Sequence, residues 1–166
     1  KLMASDKQAE DFFGFSVSIS GDYAIVGAFL EDAGGTDAGA AYIYKRNGTT
    51  WSQQSKLMAS DAQASDNFGQ SVSLSGDYAI VGSSAEDTRA SDAGAAYIFE
   101  RSGTTWTEIK KITASDAQAS DYFGQIVAID GTNMIVGAAN EDTGGSGAGA
   151  AYIFEKSTTA ELKFDN

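Results

Sequence analysis

Phe68-Gly69-Gln70-Ser71-Val72-Ser73-Leu74-Ser75 alternates large side chains with small ones. Phe68, Val72 and Leu74 fall on one face; Gly69, Ser71, Ser73 and Ser75 fall on the other. A period of two predicts a strand. Gly76-Asp77 supplies a tight turn, and Tyr78-Ala79-Ile80-Val81-Gly82 reads as a second strand. Residues 83–92 are small and acidic, as an exposed loop is. Residues 94–101 form a third strand, Ser102-Gly103-Thr104-Thr105 turns the chain, and the more polar residues 106–113 form a fourth. The stretch encodes a meander of four short antiparallel strands whose polar last member is an outer edge.

The same text is written three times. Lys1-Leu2-Met3-Ala4-Ser5-Asp6 returns as Lys56-Leu57-Met58-Ala59-Ser60-Asp61 and again from Lys111 to Asp116, a step of 55 residues. Phe13-Gly14, Phe68-Gly69 and Phe123-Gly124 keep the step, as do Gly39, Gly94 and Gly149. A regular period is one supersecondary unit reused, each unit burying its apolar face on the next. A four-stranded sheet with bulk on one face and little on the other stacks radially, which predicts an all-β fold of β-propeller blades. A β-helix is the alternative for a regular β repeat, although its coils are usually much shorter. The expected blades run over about 13–59, 68–114 and 123–166, with residues 1–6 an outer strand that completes another blade.

Composition excludes several functions. Among 166 residues, 23 are acidic and 11 basic, a formal charge of −12 that disfavours nucleic acid and anionic membrane surfaces. No window approaches the roughly 20 apolar residues of a membrane span. The chain begins at a lysine and reads as a processed or excised segment. Cysteine and histidine are both absent. Disulfides, thiolate chemistry and the commonest general base are therefore excluded, and a bound metal would be a hard, oxygen-ligated cation such as calcium.

Phe13-Gly14, then Ile25-Val26-Gly27-Ala28, then Gly39-Ala40-Ala41-Tyr42-Ile43-Tyr44, resembles the FG-GAP repeat of integrin α-subunit propellers, and more closely the bacterial-type FG-GAP repeats of large secreted and cell-surface proteins. The elements recur in both later repeats. The resemblance implies a seven-bladed, extracellular, usually non-enzymatic propeller used for adhesion or ligand recognition. Two departures stand out. The proline after Gly-Ala is replaced by Phe29, Ser84 and Ala139. The calcium loop that integrin blades carry between their first two strands is cut to a two- or three-residue turn, too short to wrap a cation in six to eight oxygens.

Three blades do not close a ring, since propellers run from about four to eight. Two open faces are expected to take further blades or another copy. A head-to-tail homo-oligomer follows, most simply two chains giving six blades, and a heterologous contact of this kind makes a filament if it does not close.

The candidate site residues lie in the loops and at the outer edge. Glu31, Asp32 and Asp37, with Glu86, Asp87 and Asp92 and with Glu141 and Asp142, stand in Gly-rich acidic loops that could ligate calcium; the simpler reading is a solvated loop whose Asp side chains bond their own backbone. Paired Asp residues before each Phe-Gly, at 6 and 11, 61 and 66, and 116 and 121, are expected to order a long loop. Phe12, Asn67 and Tyr122 share one repeat position with three chemistries, the pattern of a ligand-binding loop on a fixed scaffold. Trp51 and Trp106 open the outer strand, where a ring face could stack on a sugar; the simpler reading is that they shield a blade edge. Asn47-Gly48-Thr49 fits a glycosylation sequon. Every carboxylate pair is copied at equivalent positions, whereas acid–base catalysis needs two unlike carboxylates. The expectation is a non-enzymatic, extracellular or cell-surface module for adhesion, ligand binding or assembly with a protein or glycan partner. The alternatives are a carbohydrate-binding propeller lectin and a structural subunit of a filament or surface layer.

Overall fold

The computed structural model describes residues 1–156. It is all-β among these residues. Blade 1 comprises β1 (Val17–Ser20), β2 (Tyr23–Ala28), β3 (Ala40–Asn47) and β4 (Thr50–Leu57). Blade 2 comprises β5 (Ser71–Ser75), β6 (Tyr78–Ser83), β7 (Ala95–Ser102) and β8 (Thr105–Ile112). Blade 3 comprises β9 (Ile126–Asp130), β10 (Asn133–Ala138) and β11 (Ala150–Glu155). Each sheet is antiparallel with its strands in chain order. The fourth strand expected for blade 3 lies outside the described residues. Two-residue turns join the first and second strands, with Gly21, Gly76 and Gly131 at positive φ.

The blades stack through their unequal faces. Ile25, Ile43 and Leu57 of blade 1 share one buried cluster with Val72, Leu74 and Phe68 of blade 2. The next interface repeats the arrangement, with Ile80, Ile98 and Ile112 meeting Val127, Ile129 and Phe123. Tyr42 and Tyr97 are fully buried, each edge-on to the Phe of its own repeat, Phe13 or Phe68. Burial of such rings supplies much of the apolar free energy of folding. Bulges opposite Ile43/Tyr44 and Ile98/Phe99 interrupt the pairing of β4 with β3 and of β8 with β7, and bulged outer strands resist edge-to-edge pairing.

Two expectations change. The Phe-Gly pair is not part of the first strand. Gly69 takes φ +93°, the Phe68 amide donates to Ala38 O of blade 1 at 2.8 Å, and Phe68 forms a parallel bridge with Gly39. Phe-Gly is therefore a knob that crosses to the preceding blade. Residues 1–6 form no strand either, because a strand needs a sheet to pair with. They lie on blade 1 instead: Leu2 and Ala4 join its buried cluster, and the Tyr44 hydroxyl donates to Met3 O at 2.8 Å.

The serines have a second role beyond small size. Ser18 Oγ accepts the Leu74 amide at 3.0 Å, and Ser71 and Ser73 accept those of Val127 and Ile129 at 3.0 and 3.2 Å. The first strand of each blade is a sheet edge, and these hydroxyls satisfy its outward amides from the preceding blade.

Candidate functional site

Three side chains converge with a lysine where each long loop meets its blade. In blade 2, Lys111 Nζ donates to Asp61 Oδ2 at 2.6 Å and lies 2.8 Å from Glu86 Oε1, while the Tyr97 hydroxyl donates to Asp61 Oδ1 at 2.8 Å. Blade 1 repeats this with Lys56, Asp6, Glu31 and Tyr42. In blade 3 the Tyr152 hydroxyl donates to Asp116 at 2.8 Å, and the position of the lysine falls at Asn166, outside the described residues. Glu31, Glu86 and Glu141 are buried. They also accept the amides of Ala33, Thr88 and Thr143, two residues on, so each glutamate closes its own loop.

The electrostatics lock the charges. Burial works against the ammonium of Lys111, but its bonds to Asp61 and Glu86 outweigh that and hold the group above its ordinary range. Burial likewise opposes ionisation of Asp61, and the bonds from Lys111 and Tyr97 prevail and hold it low. Burial, then Asp61, pushes the Tyr97 phenol far up. A catalytic acid or base works best with a pKa near the working pH; these groups are driven away from it. The geometry is that of a charge-compensated pin. The recurring lysine at 1, 56 and 111 was the sequence signal for it.

The acidic loops use their carboxylates internally. Asp32, Asp87 and Asp142 accept the amides of residues 37, 92 and 147. Asp37 and Asp92 sit at positive φ as turn residues. Among the described residues no three acidic side chains are grouped to hold a metal ion. The paired Asp loops are closed in the same way: Asp11, Asp66 and Asp121 accept the amides of Gln8, Gln63 and Gln118 at 2.6, 2.7 and 2.6 Å.

That frame fixes one display position per repeat. Phe12, Asn67 and Tyr122 all adopt left-handed φ, at 52°, 58° and 56°. Bulky residues rarely do so, and the conformation costs about 1–3 kcal/mol. Phe12 is 55% exposed and lies beside Phe29, which also packs against Phe15, itself 57% exposed. At the steps of Phe15 and Phe29, blade 2 has Gln70 and Ser84, hydrogen-bonded to each other, and blade 3 has Gln125 and Ala139. The trio was missed in the sequence because β1 and β2 separate Phe29 from Phe12 and Phe15.

Trp106 takes the simpler of its two expected roles, shielding a blade edge. It is 8% exposed, edge-on to Tyr23 of blade 1, and its indole N–H donates to Gln54 Oε1 at 3.2 Å. It seals an interblade edge, so no face is free for a sugar. Trp51 is half-buried on the open side of blade 1, with the Arg46 guanidinium 6.0 Å from its ring. Asn47 is exposed at the last position of β3, and the turn that follows is Gly48-Thr49.

The FG-GAP repeat matches the chain at residues 1–44, 51–99 and 106–154. The chain belongs to the FG-GAP repeat family. The second and third matches each begin in an outer strand and run to the third strand of the next blade, so this FG-GAP unit is offset by one strand from the structural blade. None of the curated proteins matches the chain.

Proposed function

We propose that this FG-GAP chain is a non-enzymatic, extracellular recognition module that binds a protein partner through the loops carrying residues 12, 67 and 122. The observation that carries the reading is a constant frame with a changing display. Three equivalent Asp-to-amide bonds hold three left-handed positions, and these present Phe12 within an aromatic trio, Asn67 beside a Gln70–Ser84 pair, and Tyr122. Strain retained at exposed Phe12 and half-buried Tyr122 points to use of those positions, and accessible aromatic residues are favoured anchors for protein partners. Adhesive use and an extracellular setting are typical of FG-GAP repeats. The locked charges of the lysine pins support a binding role over catalysis.

The test is binding of the immobilised chain to a panel of purified matrix proteins and glycans, beside the triple variant Phe12→Gly, Asn67→Gly, Tyr122→Gly. Glycine accepts left-handed φ without strain, so the variant keeps its fold. Retention of a protein ligand by the native chain and its loss in the variant are expected. Equal retention by both, or retention of glycans alone, refutes the reading.

A further inference from the structure

The open face of blade 3 is a vacant copy of an interface the chain makes twice within itself. In blades 1 and 2, Gly27 and Gly82 lie under the carbonyl oxygens of Gly69 and Gly124, and a Cβ on either would collide with that backbone. Their counterpart is Gly137. Nothing among the described residues demands glycine there: its φ is not left-handed, and a Cβ would meet only Ile126, at 3.8 Å and beyond. The apolar counterparts are kept as well. Ile80 and Ile98 are fully buried by blade 3, whereas Ile135 and Ile153 are 44% and 67% exposed. A cavity of about 450 Å³ opens between Gly137 and Gly149, where the Phe-Gly knob of a following blade belongs.

The matching half is at the other end of the same chain. Among the described residues no blade packs on the Phe13-Gly14 knob, and a Cβ on Gly14 would meet nothing, although Gly69 and Gly124 are pressed against Ala40 and Ala95. Val17 and Ile19 are 67% and 66% exposed, whereas their counterparts Val72 and Leu74 are 6% exposed. Lys1 stands at the step of Lys56 and Lys111, while Asp116 and Glu141 repeat the carboxylates those lysines bind.

We propose that a second copy of this chain docks blade 1 onto the open face of blade 3, setting Phe13-Gly14 against Gly137 and Lys1 between Asp116 and Glu141. Each element of the contact is one that the chain already makes between its own blades. The contact is heterologous, and two copies give six blades, within the range of closed propellers. It is also looser than the internal interfaces. The acceptors Ser71 and Ser73 become Ile126 and Ala128, which leaves the amides of the incoming Val17 and Ile19 without hydroxyl partners; only Asp130, at the step of Ser75, keeps an oxygen. Association is therefore reversible on dilution. This inference goes beyond the recognition role and does not depend on any ligand.

Sedimentation equilibrium of the 166-residue chain tests it. The expected result is a concentration-dependent species of at least twice 17.2 kDa, lost in Gly137→Ala while the thermal melt of the dilute monomer holds or rises slightly, since alanine suits a strand better than glycine. Gly82→Ala serves as the contrast, since it lowers the melt of the monomer itself. Ala128→Ser restores one acceptor and tightens association by roughly 2- to 10-fold. A native chain that stays at 17.2 kDa at every concentration overturns the proposal; so does a Gly137→Ala variant that associates like the native chain.

Discussion

Replacing Ser71 and Ser73 by alanine isolates the hydroxyl ladder from the space that small residues provide. Ser71 Oγ and Ser73 Oγ accept the amides of Val127 and Ile129, whose side chains are buried in the interface between blades 2 and 3. Alanine keeps the small size and removes the acceptor. Each amide is then left without its partner at a buried site, a loss of about 1–3 kcal/mol. Together the two changes cost roughly 2–6 kcal/mol, a large share of the roughly 5–15 kcal/mol that holds a domain folded. For a chain of this size that lowers Tm by roughly 5–15 °C. Ser20 and Ser75 provide the internal control. They accept the amides of Gly76 and Gly131 at the exposed turn, where water replaces a lost hydroxyl, so alanine there costs less than about 1 kcal/mol. Urea titration followed by tryptophan fluorescence reads all four positions, and Ser18→Ala, which frees the Leu74 amide, gives an independent replicate of the costly class. Equal, near-zero losses at Ser71, Ser73 and Ser75 would refute the ladder and leave the serines as mere spacers.

Three further outcomes follow from the lysine pins and acidic loops. Lys111→Met leaves the carboxylate of Glu86 buried without its cation; the expected loss is about 3 kcal/mol by thermal melt, the low end for breaking a buried pair because Lys111 keeps some contact with water. A loss below about 0.5 kcal/mol would show that water or another group compensates Glu86. Stability against pH should form a plateau with two falling limbs. Asp61 is held below its ordinary 3.8, so its contribution is complete above that value and is lost as pH falls through the folded value. Tyr97 is held above 10.0 and Lys111 above 10.5, so their contributions are complete below those values and are lost as pH rises beyond them. Asp66, raised by burial, has the opposite sign: it adds stability as pH falls toward 3.8 and adds nothing further below that value, so it lifts the shoulder of the plateau above the acid limb; denaturant midpoints that show no rise on acidification toward 3.8 would mean that its burial is relieved by other groups. Finally, because Asp32, Asp87 and Asp142 are engaged by their own backbone and Glu31 and Glu86 by lysines, a chelator should leave Tm unchanged in calorimetry. A drop reversed by calcium would place a cation in those loops.

Ser71–Ser75 was legible because a half-buried strand writes its period of two directly into the chain, and it begins three residues inside the stretch that alternation marks; Tyr78–Ser83, buried along nearly its whole length, was legible as a short apolar run after the Gly76-Asp77 turn. The knob was not legible. Phe68-Gly69 continues the large–small alternation, yet the left-handed φ of Gly69 and the bridge from Phe68 to Gly39 belong to a neighbouring blade, which no window on one repeat contains. The same limit hid the serine ladder and the pins. Ser18 bonds residue 74 and Ser73 bonds residue 129, each 56 positions on, one more than the repeat step, so aligning repeats in register conceals the pairing. The lysine recurrence was visible, but its meaning required the fold to gather residues 6, 31, 42 and 56 around one charge.

Position-by-position comparison becomes informative again once those contacts are known, because each repeat position then carries a stated demand from the next blade. At Gly27 and Gly82 the demand is absence of a Cβ. At Ser18 and Ser73 it is an acceptor oxygen. Blade 3 answers the first with Gly137 and fails the second with Ala128. A face never covered would have no reason to keep a glycine that weakens its own strand by roughly 0.5–1 kcal/mol relative to alanine, and a face covered as firmly as the others would have kept its serine. Retention of the one and loss of the other together favour the proposed docking of a second copy, through a contact built to come apart.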